Sequence, residues 1–177
     1  LAQSGRVTHI RNPGPYDKAG IQFTGLKLAN ACEAVQTADW LLTLDIDEFV
    51  NVHTGNHTLP DLIQALPEAT AITLTWRLFG NAGIVNYRDQ PIPQQFTRAA
   101  PEILYWPWRA SMFKTLYKND GTYRKLGVHR PRSPDEAKLG AARWFDCAAR
   151  ELDAPFRKNR IFSPFGRANH KLAQLNH

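Results

Sequence analysis

Asp45, Asp47 and Glu48 stand at the end of the apolar run Trp40-Leu41-Leu42-Thr43-Leu44 and are followed by Phe49. Carboxylates crowded at the mouth of an apolar strand repel one another and lose hydration, so they need a cation or a proton. A hard divalent ion is the commonest such partner. Oxygen ligands favour Mg²⁺ or Mn²⁺, and an Asp-x-Asp pair leaves coordination positions open for a phosphate-bearing substrate. The bland alternative is a strand that ends in a solvated acidic turn.

The elements that must position these acids are legible in outline. Arg6 to Ile10 alternates and predicts a short strand, closed by the turn Asn12-Pro13-Gly14-Pro15. From there to Asp39 the spacing of Ile21, Gly25, Leu28, Cys32 and Val35 predicts one helix with a single apolar stripe. Helix followed by the strand of residues 40–45 is the second half of a βαβ unit, which points to a parallel α/β sheet with the acids at its ligand edge. Thr58, with Asp61 three residues on, predicts the start of a helix that Pro67 ends. Residues 70–76 predict a β-branched strand that delivers Arg77 and the loop Phe79-Gly80-Asn81-Ala82-Gly83. Residues 84–110 are irregular and rich in Pro and aromatics, the profile of a functional loop. Residues 112–116 and 123–129 read as strands of a hairpin turned by Asn119-Asp120-Gly121. Ser133-Pro134-Asp135-Glu136 starts a helix, and periodicity leaves open whether it continues through Trp144 or yields to a strand after Gly140.

The 177 residues suit one domain, large enough to bury roughly 70% of the surface of the unfolded chain. With 43% hydrophobic and 21% charged residues the composition is that of a soluble globular protein, and no apolar run approaches the roughly 20 residues of a membrane span. Cys32 and Cys147 lack the spacing of a zinc site or a disulfide scaffold, which makes a cytoplasmic location the default. The net charge of +6 is uneven: residues 1–100 hold 7 Lys/Arg against 9 Asp/Glu, and residues 101–177 hold 15 against 7. A basic half of this kind attracts phosphates or anionic lipid, and peripheral contact with an inner membrane surface is compatible with it. No zinc-finger, RRM or helix-turn-helix signature supports nucleic-acid binding.

Four motifs in order, Asp45-Ile46-Asp47-Glu48-Phe49, Trp76 to Gly83, Gly127-Val128-His129-Arg130-Pro131 and Leu175-Asn176-His177, resemble those of bacterial glycosyltransferase family 2-like proteins of the D-x-D-E-F type. The similarity covers most of the chain. It implies a GT-A-like nucleotide-diphospho-sugar transferase fold, an α/β domain with a mixed, mainly parallel central sheet flanked by helices. In the family a further strand-helix unit precedes the matched region, so the resemblance implies a single domain, residues 1–177, lacking that first unit. It further implies an inverting hexosyltransferase that moves a sugar from a UDP- or GDP-sugar donor to a glycan or other hydroxyl acceptor in cell-surface polysaccharide synthesis.

By the same resemblance, Asp47 binds a Mn²⁺ or Mg²⁺ ion, with His129 and His177 as further ligand candidates, and Asp45 meets the donor ribose or a metal-bound water. Glu48, Trp76, Arg77, Gly80 and Asn81 face the acceptor or order the loop beside it. Arg130, with Arg124, Lys125 and Arg132 beside His129, reads as a diphosphate cradle or as a solvated basic face. An inverting reaction needs a carboxylate base. Asp146, beside Trp144 and Phe145, and Asp89 in the irregular loop are the candidates. His9, His53, His57 and His170 read as surface residues. Two rival readings differ in class. A haloacid-dehalogenase-like phosphatase also uses Asp-x-Asp after an apolar strand, with Asp45 as nucleophile and Asp47 beside it, but it expects Thr or Val where Phe49 stands. A non-catalytic, degenerate transferase would bind glycan through its aromatic loop.

Overall fold

The computed structural model describes residues 5–16, 18, 20–104, 106, 108–164 and 166–177. In chain order its elements are α1 (Gly20–Asn30), α2 (Glu33–Thr37), β1 (Trp40–Leu42), β2 (Phe49–Val52), α3 (Leu59–Ala65), β3 (Ala71–Arg77), α4 (Ile92–Gln95), β4 (Phe113–Lys118), β5 (Tyr123–Lys125), β6 (Arg132–Pro134), α5 (Glu136–Leu139), β7 (Trp144–Asp146), α6 (Ala154–Lys158) and β8 (Ala173–Asn176). The fold is α/β. Its six-stranded sheet runs β1-β4-β3-β8-β2, and β7 pairs the first half of β3 before β8 takes over at Trp76 and Arg77.

The sheet is mixed, but it is not mainly parallel as expected. β1 and β3 both pair antiparallel with β4, and β2 pairs antiparallel with β8, against the parallel pairs β3-β7 and β3-β8. The insertion of β4 between β1 and β3 is a long-range pairing that local periodicity does not encode. It still leaves β1, β3 and β8 pointing the same way, so their carboxyl ends and the amino ends of β4 and β2 meet at one end of the sheet.

β3 is the central strand, and its alternation sorts two cores. Ile72 and Leu74 share a cluster with Leu62 of α3, Leu66 just after it, Leu116 and Leu175. Ala71 faces the other way, with Phe113, Tyr117, Tyr123, Leu139, Trp144 and Phe156, and Leu26 and Ala29 of α1 close that side. The α3 start is as expected: the Thr58 side chain accepts from the Asp61 amide while the Asp61 carboxylate accepts from the Thr58 amide, a reciprocal cap. Gly55 sits at φ 57° with an added Cβ 2.6 Å from Asp61, so only glycine fits beside that cap.

Other expectations change. Arg6 to Ile10 is not a strand. The single long helix is broken between Asn30 and Glu33, and its inward face is Leu26, Ala29 and Val35, whereas Ile21 is 60% exposed and Leu28 is also exposed. The Asn119-Asp120-Gly121 turn does not join a hairpin, because β5 pairs β6 instead of β4. The Asp120 side chain accepts from the Thr122 amide, which turns the chain locally without setting a two-strand register. The helix after Pro134 is short, and the chain yields to β7 after Gly140. In the irregular loop, α4 and the bridge Phe79–Ala99 supply order, and Tyr105 and Pro107 lie outside the described residues. Among the described residues no helix is long and apolar enough to cross a membrane.

Candidate functional site

β1 ends at Leu42, and residues 45–48 form a tight turn in which the Glu48 amide donates to the Asp45 carbonyl and the Asp45 amide donates to Glu48 Oε2 at 2.8 Å. The turn brings two carboxylates onto Lys114. Its ammonium lies 2.8 Å from Asp45 Oδ2 and 3.3 Å from Glu48 Oε2, and the side chains of Lys114 and Glu48 are both fully buried. The cation that the acids require is therefore supplied by the chain itself. Lys114 faces Leu74 across the β3–β4 pair, at the point where the Ile72–Leu74–Leu116 core face runs out. A lysine is fully buried only when paired, so its position in the apolar strand Phe113–Lys118 was a signal in the sequence. What the sequence lacked was the pairing that carries Lys114 across 69 positions to Asp45.

Asp45 is otherwise engaged by Gln22 of α1, whose Nε2 donates to Oδ1 at 3.1 Å. Burial tends to raise its pKa, but the bond and charge of Lys114 and the bond from Gln22 outweigh that and hold it below the ordinary carboxylate value. Glu48 also accepts from the indole Nε1 of Trp76 at 2.7 Å. It is thus a buried structural acid and cannot meet an acceptor. Trp76 in turn carries both motif histidines. His177 lies against the indole with ring centroids 4.2 Å apart, and His129 meets it edge-on at 5.7 Å. The backbone of His177 is locked between β3 and its following loop, accepting from Phe79 and donating to Arg77.

The two histidines differ in environment. His129 places Nδ1 3.1 Å from the Phe113 carbonyl, so that nitrogen carries the proton and Nε2 presents a lone pair. Burial lowers the His129 pKa, only partly countered by that bond, and favours the neutral ring. His177 Nε2 lies 3.7 Å from Asp47 Oδ2, in a half-exposed position beside a carboxylate that is 56% exposed. Among the described residues no three His, Cys, Asp or Glu side chains are grouped to hold one ion. The expected set Asp47, His129 and His177 is accordingly not assembled as a triad. Asp47 and His177 approach each other, and His129 stands on another contact of the indole.

Two recesses flank this centre. One, of about 280 Å³, is lined by Asp47, Phe49, Phe79, Ile92, Pro93, Phe96, Thr97, Asn176 and His177. The other begins at His129 and runs along α1 as two adjoining hollows sharing Phe23 and Arg132, with Lys18, Lys27, Arg124, Lys125 and Lys158 on their walls. The aromatic recess was missed in the sequence because its walls come from β2, the loop after β3 and α4.

Several expected site residues are placed elsewhere. Asp146 is fully buried: Oδ1 accepts from the Ala148 and Arg150 amides, and Oδ2 from the Arg150 guanidinium at 2.7 Å. Its oxygens staple the turn after β7 and are closed to an acceptor hydroxyl. Asp89 is exposed, with the Tyr87 hydroxyl 3.3 Å away. Arg130 lines the hollow beside His129 and Arg132 while its guanidinium stacks 5.2 Å from the Trp144 ring and donates to the Arg157 carbonyl. Arg77 points to the face opposite Trp76, where Nη1 meets no hydrogen-bond partner among the described residues beside a cavity of about 20 Å³ that Glu102 and His170 share. Gly80 donates to the Arg98 carbonyl, and Asn81 closes the following turn through the Ile84 carbonyl and amide. His170 is buried, with Nε2 3.2 Å from the Trp76 carbonyl, while His9, His53 and His57 are exposed.

No protein-family model matches this chain, and a search of curated proteins finds no significant match, so the assignment of function rests on the geometry.

Proposed function

We propose that this chain is the nucleotide-sugar-binding domain of a metal-dependent glycosyltransferase with a GT-A-like fold, acting on a glycan or other hydroxyl acceptor in cell-surface polysaccharide synthesis. The observation that carries the reading is convergence. Asp45, Asp47 and Glu48, Trp76, His129 and His177 come from four segments far apart in sequence and meet at the carboxyl ends of β1, β3 and β8 around one indole ring. Open sheets bind ligands at such an edge.

The donor set suits a hard or borderline divalent ion. Asp47 offers an exposed carboxylate and His177 an imidazole within 3.7 Å of it, a pairing compatible with Mn²⁺ or Mg²⁺ whose other positions belong to phosphate and water. Such an ion, when bound, stabilises the charge that develops on a nucleoside diphosphate leaving group. The chain's own residues do the rest. Lys114 is engaged by both Asp45 and Glu48, so that Asp47 is the acid left free for a cation. Trp76, keyed by Glu48, holds His177 in place. The basic hollows beginning at His129 offer Lys and Arg to donor phosphates.

Calorimetric titration of UDP and GDP, each with and without Mn²⁺, into the wild type and Asp47→Asn tests the reading. Metal-dependent binding that the variant loses is expected. Absence of nucleotide binding to the wild type would remove the transferase and leave a phosphatase or a glycan binder.

A further inference from the structure

We infer that the cavity between Arg77 and His170 is a binding site for one small anion of halide size, separate from the nucleotide site proposed above. Arg77 leaves the end of β3, and the 3₁₀ turn Arg167–His170 brings His170 against the same strand, so that both line a cavity of about 20 Å³. Each has a buried nitrogen, Arg77 Nη1 and His170 Nδ1, that meets no hydrogen-bond partner among the described residues. His170 is only 9% exposed, so bulk water does not reach that nitrogen. Buried nitrogens without a partner are rare in native proteins, and two on one cavity point to a guest. The neighbouring polar side chains are already engaged: the Thr75 hydroxyl is hydrogen-bonded to Ser163, and Asn169 accepts from Arg150 and donates to the Pro164 carbonyl. Arg77 makes no ion pair among the described residues, and Glu102 on the same wall is exposed. A half-buried guanidinium without a counter-charge favours an anion beside it.

The two nitrogens select the guest. His170 Nε2 lies 3.2 Å from the Trp76 carbonyl and carries the proton of the neutral ring, so Nδ1 is then an acceptor and Nη1 a donor. One donor and one acceptor, in room for about one water, suit a water molecule. A proton on Nδ1 turns the wall into two donors with two positive charges, and the complementary guest is a small anion that only accepts. Phosphate, sulfate and carboxylates are too large for the cavity, which leaves a halide, and chloride is the common one. The surroundings of His170 set the direction of coupling. Burial lowers its pKa, and Arg77 from β3 and His53 from the end of β2 act the same way, against the Trp76 carbonyl and Glu102 from the loop after α4. Arg150 is held by Asp146 and Asn169. The ring is therefore neutral at neutral pH without an anion, so proton and anion enter together: chloride raises the proton affinity of His170, and acidification strengthens chloride binding.

The test is histidine ¹H–¹⁵N NMR on the whole protein, titrated between about pH 5 and 8 in sodium chloride and in sodium gluconate of equal ionic strength, gluconate being too large for the cavity. For a chloride dissociation constant of about 0.1 M, about 0.2 M chloride should raise the proton affinity of His170 about threefold. The exposed His9 and His57 should titrate alike in the two salts. Arg77→Met should remove the response and Arg77→Lys should keep part of it, with unfolding midpoints confirming that each variant is folded. Bromide diffused into crystals of the wild type at about pH 5.5, where a histidine gains its proton, should scatter anomalously between Arg77 and His170, and this arm needs no variant. A His170 titration identical in the two salts, an equal rise in every histidine, a full response in Arg77→Met, or no bromide between the two side chains would each overturn the anion site and leave the cavity to water.

Discussion

Replacing Lys114 with Met tests whether the chain supplies its own cation to the acidic turn. Lys114 and Glu48 are fully buried 3.3 Å apart, and Asp45, 39% exposed, lies 2.8 Å from the same ammonium. At an effective dielectric of about 20 the attraction to the fully buried Glu48 is on the order of 5 kcal/mol before desolvation is subtracted. Removal of one partner of a buried pair typically costs about 3–5 kcal/mol, because the other charge stays buried without compensation. In urea, followed by tryptophan fluorescence, that corresponds to a midpoint lower by about 1.5–2.5 M for a slope of about 2 kcal/mol/M. Lys114→Met/Glu48→Gln should recover about 2 kcal/mol, since the uncompensated charge is gone. The pH dependence has a fixed sign. Asp45 has its pKa depressed in the folded state, so its contribution is present above the unfolded value near 4 and is lost as pH falls through the folded value. In Lys114→Met the largest lowering influence on Asp45 is gone and only the Gln22 bond and the His129 charge oppose burial, so its pKa rises relative to the wild type and the variant loses less on protonation. The stability gap should narrow on acidification. A cost below about 1 kcal/mol at pH 7, or a gap that widens as pH falls, would refute the triad as the source of compensation.

Trp76→Phe keeps an aromatic ring near His177 but removes the donor to Glu48 Oε1; a loss of about 1.5–3 kcal/mol in urea unfolding is expected, and an unchanged midpoint would show that the indole N–H is dispensable. Asp146→Asn places an amide nitrogen where the Arg150 guanidinium needs an acceptor, so stability should fall by about 1.5–3 kcal/mol while transfer per folded molecule is kept; a drop of about 100-fold or more with stability intact would instead mark Asp146 as the base. His129 should be neutral at pH 7 with its proton on Nδ1, as read by ¹H–¹⁵N NMR, because burial lowers its pKa and the Phe113 carbonyl takes that proton. A depressed folded pKa means that its contribution is present above the unfolded value near 6.5 and is lost as pH falls through the folded one; an imidazolium signal at pH 7 would contradict the placement.

Local chemistry was legible where local rules govern. The Thr58–Asp61 cap, the strand expected at residues 70–76 and found at Ala71–Arg77, and the apolar entry to the acidic turn are set by neighbours within a few positions. The helix before β1 was placed but its inward face was not, because Leu26 and Ala29 beat Ile21 and Leu28 only through what packs on them. The Asn119-Asp120-Gly121 turn was read as a hairpin because it satisfies the local signal for one; β4 was already paired on both edges, by β1 and β3, and left no place for β5.

The sequence by itself determined which residue types were available: three acids after an apolar run, two motif histidines, a tryptophan before a glycine-flanked loop, and a basic second half. Only the tertiary structure decided what each does. β4 threads between β1 and β3 and delivers a buried Lys114 to Asp45 and Glu48, which converts two expected ligand groups into an internal ion cluster and leaves Asp47 beside His177. The physical reason is that charge compensation and burial act between atoms a few ångströms apart, and those distances are set by strand order, not by separation along the chain.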